Sequence, residues 1–208
     1  MNAAPSRQSE AGAGEDGRHA RRDRNRLAVV DAMLLLYAAG NLEPSSDEIA
    51  ERAGLSPRSL FRYFDDLDDL VRVAISRQYE RLLPMSGLDV SHEGALSDRV
   101  ARLVEQRLGL FDGIGSVGIV SRVRAPFQPL IASELAISRS FLRRQIEQLF
   151  ATELGQRSSA GAAGAIAAID VLTSFESLRL MRDDQQLTKL QISAALTDAV
   201  TRLLEVRP

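Results

Sequence analysis

The stretch GLSPRSLFRYFDD, Gly54–Asp66, sets two arginines four residues apart among bulky apolar side chains. Ser56 before Pro57 reads as a helix start. A serine hydroxyl can accept from the free amides of a first turn, and a proline at the first helical position gives up an N–H that has no partner anyway. At about 100° per residue, a helix running on to Phe64 gathers Leu60, Phe61 and Phe64 on one flank. Arg58, Ser59, Arg62 and Tyr63 take the other. The first flank needs a core to rest on. The second offers guanidiniums, a hydroxyl and a phenol to something outside.

The preceding residues decide between a solvated surface helix and a reading head. NLEPSSDEIAERAG, Asn41–Gly54, carries a capping box in which Ser45 and Glu48 satisfy each other's end of a helix. Ile49, Ala50 and Ala53 form its inward face, and Gly54 tolerates the positive φ of a tight turn. Two short helices joined by a brief turn are the layout of a helix-turn-helix, with small Ala50 at the crossing and Leu60 as anchor. Upstream, LAVVDAMLLLYAAG repeats Leu27, Val30, Leu34 and Tyr37 at helical spacing and stops at Gly40, which predicts a first helix over about 22–39. Before it runs RHARRDRNR, Arg18–Arg26, with five arginines against one aspartate. Downstream, Asp65 and Asp68 open a fourth helix whose apolar side is Leu67, Leu70, Val71, Ala74 and Ile75. Pro84 and Gly87 mark a boundary.

The whole chain has 208 residues, 45% hydrophobic but only 5% aromatic, so its core is built from Leu, Ala, Ile and Val, which favours helices. No cysteine is present, and His19 and His92 are the only imidazoles, which argues against disulfides, thiol or triad catalysis and zinc sites. No metal-ligand spacing or phosphate-cradling glycine loop stands out, so the chain reads as no enzyme and no cofactor is implied. The net charge of −2 says little by itself. No apolar run nears the roughly 20 residues of a membrane span, and the N-terminus lacks the apolar centre of a signal peptide, so a cytoplasmic location away from membranes is expected. Residues 1–20, small and polar, predict a disordered tail. Beyond residue 92 the patterns are helical throughout, including GALSDRVARLVEQRLGLF, a glycine-loosened GIGSVGIVSRVRAPFQP, and LIASELAISRSFLRRQIEQLFATELG. The fold class is all-α.

Taken together, VVDAMLLLYAAGNLEPSSDEIAERAGLSPRSLFRYFDDLDDLVRVAI, Val29–Ile75, resembles the DNA-binding domain of TetR-family transcriptional regulators. The resemblance implies an N-terminal three-helix helix-turn-helix domain at 21–66, a linking helix at 67–83, and a helical ligand-binding and dimerisation domain at 84–208. It implies a homodimer on double-stranded DNA, on a palindromic operator, most often a repressor released by a small-molecule effector. Arg58, in the first turn of the recognition helix, is then placed to read a base. Arg62, Ser59 and Tyr63 follow as base or phosphate contacts. Ser56 and Pro57 lie at the helix entry, Ser46 at the start of the preceding helix as a phosphate contact or a simple cap, and Arg24 in an arm that tracks phosphates or enters the minor groove, with a solubilising tail as the competing role. Two features depart from the family. Phe61 stands where many members have a phosphate-binding tyrosine, and DDLDDL puts Leu67 among four aspartates where many have a lysine.

For the second domain, Leu103, Leu108, Phe111, Val120, Val123, Phe127, Leu135, Phe141 and Phe175 are candidate pocket walls, with core packing as the competing role. Arg122 and Arg124 could meet an acidic ligand, though two residues apart on a helix they cannot both face inward. Small residues Gly164 and Ala168, with Leu196, Val200 and Leu203 on the last helix, suit a four-helix dimer interface, with packing inside one subunit as the alternative. The rival function is a helical sensor or dimerisation module that has lost DNA binding, for which Phe61 and the aspartates speak.

Overall fold

The computed structural model describes residues 10–205. Ten α-helices follow one another with no strand among the described residues: α1 Glu10–Ala38, α2 Ser46–Arg52, α3 Pro57–Leu60, α4 Leu67–Leu82, α5 Leu96–Arg124, α6 Pro129–Leu149, α7 Ala151–Gly155, α8 Ser159–Leu172, α9 Phe175–Arg179 and α10 Lys189–Leu204. A 3₁₀ turn occupies Leu83–Ser86, and a π-helical turn Leu180–Asp184. The chain divides into two compact units between Arg77 and Gln78. Among the described residues no single helix is long and apolar enough to cross a membrane.

In the first unit, Val29, Val30, Met33 and Tyr37 bury one side of α1. The helix ends in a Schellman motif on Gly40 (φ 90°), where the Asn41 amide donates to Leu36 O and the Gly40 amide to Tyr37 O. The Ser45–Glu48 capping box forms on α2 as its spacing dictates. Gly54 (φ 68°) repeats the Schellman ending, with the Leu55 amide donating to Ala50 O and its own to Glu51 O. That turn drops α3 across α2, where Ala50 and Leu60 are both fully buried. Phe64 and, from α4, Leu70, Val71, Ala74 and Ile75 close the core. The Arg77 guanidinium pairs with Asp31 at 3.0 Å, fastening α4 to α1.

Three expectations change here. The first helix begins at Glu10 rather than near residue 22, so the expected tail is helical over residues 10–20 and residues 1–9 lie outside the described ones. Ala and Glu are good helix residues, no proline interrupts, and propagation from the packed part needs no new nucleus. The recognition helix is only four residues long. After Leu60 the chain tightens to i→i+3 bonds, Arg62 N–H to Ser59 O and Tyr63 N–H to Leu60 O. The regular spacing that grouped Phe61 with Leu60 and Phe64 holds only within a continuous α-helix. Accordingly Phe61 is 49% exposed while Phe64 is buried. Leu27, expected on the inward face of α1, is 41% exposed.

In the second unit, α10 packs on α5, and Val100, Leu103, Val104, Leu108, Ile146, Leu149, Ile169, Ile192, Leu196 and Val200 form the centre. The glycine-loosened segment is no separate helix but the second half of α5, beyond a break at Gly115 (φ 51°, ψ −137°). Within it Gly118 is required by close approach: a Cβ there would meet the Phe175 ring at 2.5 Å. Arg99, buried, pairs with Glu153 at 2.5 Å, so a charge inside this core is matched where it sits.

Candidate nucleic-acid interface and cavity

The first unit presents its exposed cations on and around the helix-turn-helix. Arg58 and Arg62 are exposed, and their guanidiniums take part in no hydrogen bond or ion pair among the described residues. The same holds for Arg21, Arg22 and Arg24 on α1. Pro57 is exposed, while Ser46, in the first turn of α2, and Ser59 are partly buried. Ser56 occupies the N-cap position of α3 but does not cap it. Its hydroxyl lies 2.9 Å from that of Ser59, and no side-chain bond reaches the first-turn amides. Both hydroxyls stay at the surface as a polar pair.

Two contacts fasten the arginine run of α1 to the recognition segment. Asn25 donates its amide N–H to the Tyr63 hydroxyl at 3.0 Å, and the Arg26 guanidinium lies 5.1 Å from the centre of the Phe64 ring. Because the phenol oxygen accepts from Asn25, its own proton is left to donate outward. Sequence reasoning missed Asn25 and Arg26. Nothing local marks an asparagine among arginines as the partner of a tyrosine 38 residues away. The acidic start of α4 also has a structural reason. Asp66 Oδ1 accepts from the Asp69 amide at 2.7 Å, capping the helix, and Asp69 pairs with Arg72 at 2.5 Å.

The second unit encloses a cavity of about 600 Å³. Of the expected walls, Phe111, Phe141, Phe175 and Leu135 line it. Phe111 and Phe175 meet edge to face, with centroids 5.8 Å apart. Leu103, Leu108 and Val120 do not line it, being packed in the core on the other sides of α5. Val123 and Phe127 do not either. They point outward from the end of α5 and the loop after it, 60% and 81% exposed. Residues the sequence did not suggest complete the lining, notably Arg107, Asp170, Arg139 and Glu176.

Arg122 is the arginine of its pair that reaches the cavity, and it is not free in solvent. Its guanidinium lies 4.2 Å from the centre of the Phe175 ring and bonds Glu176 at 2.6 Å. Arg139 reaches the same carboxylate at 2.7 Å. Burial alone would raise the Glu176 carboxyl, but the hydrogen bonds and charge of Arg122 outweigh it and hold the group at about 2. Asp170 is the opposite case. Burial pushes its carboxyl up, against the pull of Arg143, Arg107 and Arg139.

The expected dimer residues separate into two groups. Leu196 and Val200 are fully buried within the chain's own core. Their i, i+4 spacing marked an apolar stripe, and α5 covers it. Gly164 is exposed, Ala168 partly buried, and Leu203 packs against the edge of the core. Ala163, Ala167 and Val171 extend the exposed small-residue face of α8.

No curated protein sequence matches the chain. Solved structures do. A TetR-family transcriptional regulator from Streptomyces coelicolor superposes with a TM-score of 0.66 at 20% identity, over 86% of this chain and 81% of that one. A transcriptional regulator from Rhodococcus sp. Rha1 gives 0.64 at 18% identity, over 90% and 99%. A TetR transcription regulator from Haloarcula marismortui gives 0.58 at 13% identity, over 88% and 97%. At such identities these likenesses speak for a shared fold across nearly the whole chain. Residues 31–74, from the last third of α1 into α4, match the model of the bacterial regulatory proteins of the tetR family. This match, on the stretch that carries the helix-turn-helix and its exposed arginines, identifies the first unit as a DNA-binding domain of the tetR family of bacterial regulatory proteins.

Proposed function

We propose that the protein is a homodimeric, cytoplasmic repressor that holds an approximately palindromic operator and releases it when a small molecule fills the cavity of the second unit. The observation that carries the DNA-binding reading is the cluster of exposed arginines without partners, Arg58 and Arg62 beside Tyr63, to which Asn25 ties the arm of α1. Arg58, one residue past Pro57, has the best reach to base edges. A guanidinium forked onto guanine contributes about 1–3 kcal/mol of discrimination. Arg24, Arg62, Ser46, Ser59 and the outward proton of Tyr63 serve the phosphates, which set register and affinity.

Two-fold pairing through the outer face of α8 would turn two reading heads toward two half-sites. Coupling to the effector runs along α4. Its Leu70, Val71, Ala74 and Ile75 belong to the core of the first unit, while Tyr79 and Leu82 line the cavity of the second. A ligand that favours one placement of Tyr79 and Leu82 over another therefore biases the position of that helix.

Loss of DNA binding is the second reading. Exposed Phe61 offers no hydroxyl to a phosphate, and Asp65, Asp66 and Asp68 are exposed nearby. Fluorescence anisotropy at moderate salt separates the two, with the DNA upstream of the protein's own gene set against a random duplex of equal length. Preference by a factor of about 10³ or more supports the regulator. Equal, weak binding to both supports the sensor.

A further inference from the structure

The cavity contains a buried positive charge to which no carboxylate is hydrogen-bonded among the described residues, although Asp170 lies near enough to feel it. Arg107 is 1% exposed, yet it lines the cavity. Its guanidinium donates to Gln145 Oε1 at 2.9 Å, to Leu142 O at 2.9 Å and to the Gln106 side-chain oxygen. All three acceptors are neutral. Of its five N–H groups, Nε–H and one on Nη2 have no acceptor among the described residues. Burial lowers this guanidinium to about 10, which still leaves it charged at neutral pH. Arg99, in the same unit, shows the usual solution, a carboxylate set against the buried charge.

The rest of the lining adds to the imbalance. Four arginines face two carboxylates, and one of the two, Glu176, is already held between Arg122 and Arg139. The other, Asp170, has no side-chain hydrogen bond among the described residues and sits where burial disfavours its charge. Around these groups the walls are apolar, with Phe111, Phe141, Phe175, Ile114 and Leu135. A cavity of about 600 Å³ falls within the range that holds molecules of drug size.

We propose that the effector is an amphipathic monoanion, an apolar body bearing one carboxylate, whose head group meets the two uncommitted N–H groups of Arg107. The apolar body fills the space beside the phenylalanines, and the carboxylate supplies the hydrogen-bonded counter-charge that Asp170, which does not bond Arg107, does not. This rests on the reading of the cavity as the effector site.

The test uses the full chain at neutral pH with Nile red, an uncharged dye, to report occupancy of the cavity. Three probes with the same alkyl chain compete against it: decanoate, 1-decanol and decyltrimethylammonium. Decanoate is expected to displace the dye at concentrations about tenfold below decanol, the size of one charge-assisted hydrogen bond, with the ammonium weakest. Arg107→Met is expected to erase the gap between acid and alcohol. Asp170→Asn, which leaves the Arg107 hydrogen bonds intact, is expected to widen it and keeps the test decisive if the Met variant does not fold. Equal displacement by decanoate and decanol would leave the cavity as a ligand site but overturn the anion. Strongest binding by the ammonium, lost in Asp170→Asn, would overturn it in favour of a cation. No uptake of Nile red would end the effector-site reading and this proposal together.

Discussion

Tyr63 shows how far a single contact can reach. Its hydroxyl accepts from Asn25 and so holds its proton toward the solvent side, where a phosphate can take it. Asn25→Ala and Tyr63→Phe should each weaken DNA binding by about 1 kcal/mol, roughly fivefold, without altering base preference. Because the two groups act as one unit, the double variant should lose little more than either single one, which a double-mutant cycle by anisotropy reads directly. Glu176 offers a second check at this scale. Its carboxyl is depressed to about 2 from an ordinary 4.5, so its contribution to stability is complete above 4.5 and is lost as pH falls through 2. Thermal melts between those limits should show wild type losing more of its Tm than Glu176→Gln. Residues whose partners are close in sequence were legible: Ser45 with Glu48, Gly40 and Gly54 at their turns. Asn25 and Arg107 were not, because their partners lie on other helices and no local pattern encodes them.

Among the elements, the short α3 depends on one anchor. Leu60 is fully buried against Ala50, so Leu60→Ala should cost about 2–5 kcal/mol in denaturant unfolding of the first unit and displace the arginines that follow it. Gly118 plays the corresponding part in α5. An added methyl must push the Phe175 ring, so Gly118→Ala should destabilise by about 1–3 kcal/mol and shrink the cavity, seen as weaker Nile red uptake. Helical periodicity found most of these elements because burial repeats at the helical period. It could not say what buries a stripe. Leu196 and Val200 have the pattern of an interface and are covered by α5 of the same chain, while Phe127 looks like a wall and stands 81% exposed. The end of α3 was illegible for a related reason. The switch to i→i+3 bonds after Leu60 carries no proline or glycine to announce it.

For the whole molecule the account requires two copies. The exposed face of α8, with Ala163, Gly164, Ala167 and Val171, is the surface proposed to join them. Gly164→Arg should therefore convert a dimer into a monomer in analytical ultracentrifugation while leaving the helical circular-dichroism signal unchanged, and operator affinity should fall with it, since one head alone holds one half-site. The central claim, that paired heads led by Arg58 read a symmetric site, is tested most directly by selecting bound sequences from a random duplex pool with wild type and with Arg58→Ala. Wild type should enrich two inverted half-sites whose centres lie one helical turn or more apart. Arg58→Ala should lose preference at one symmetry-related pair of positions and keep the rest. No enrichment by wild type, or an Arg58→Ala that weakens all sequences alike, would contradict it.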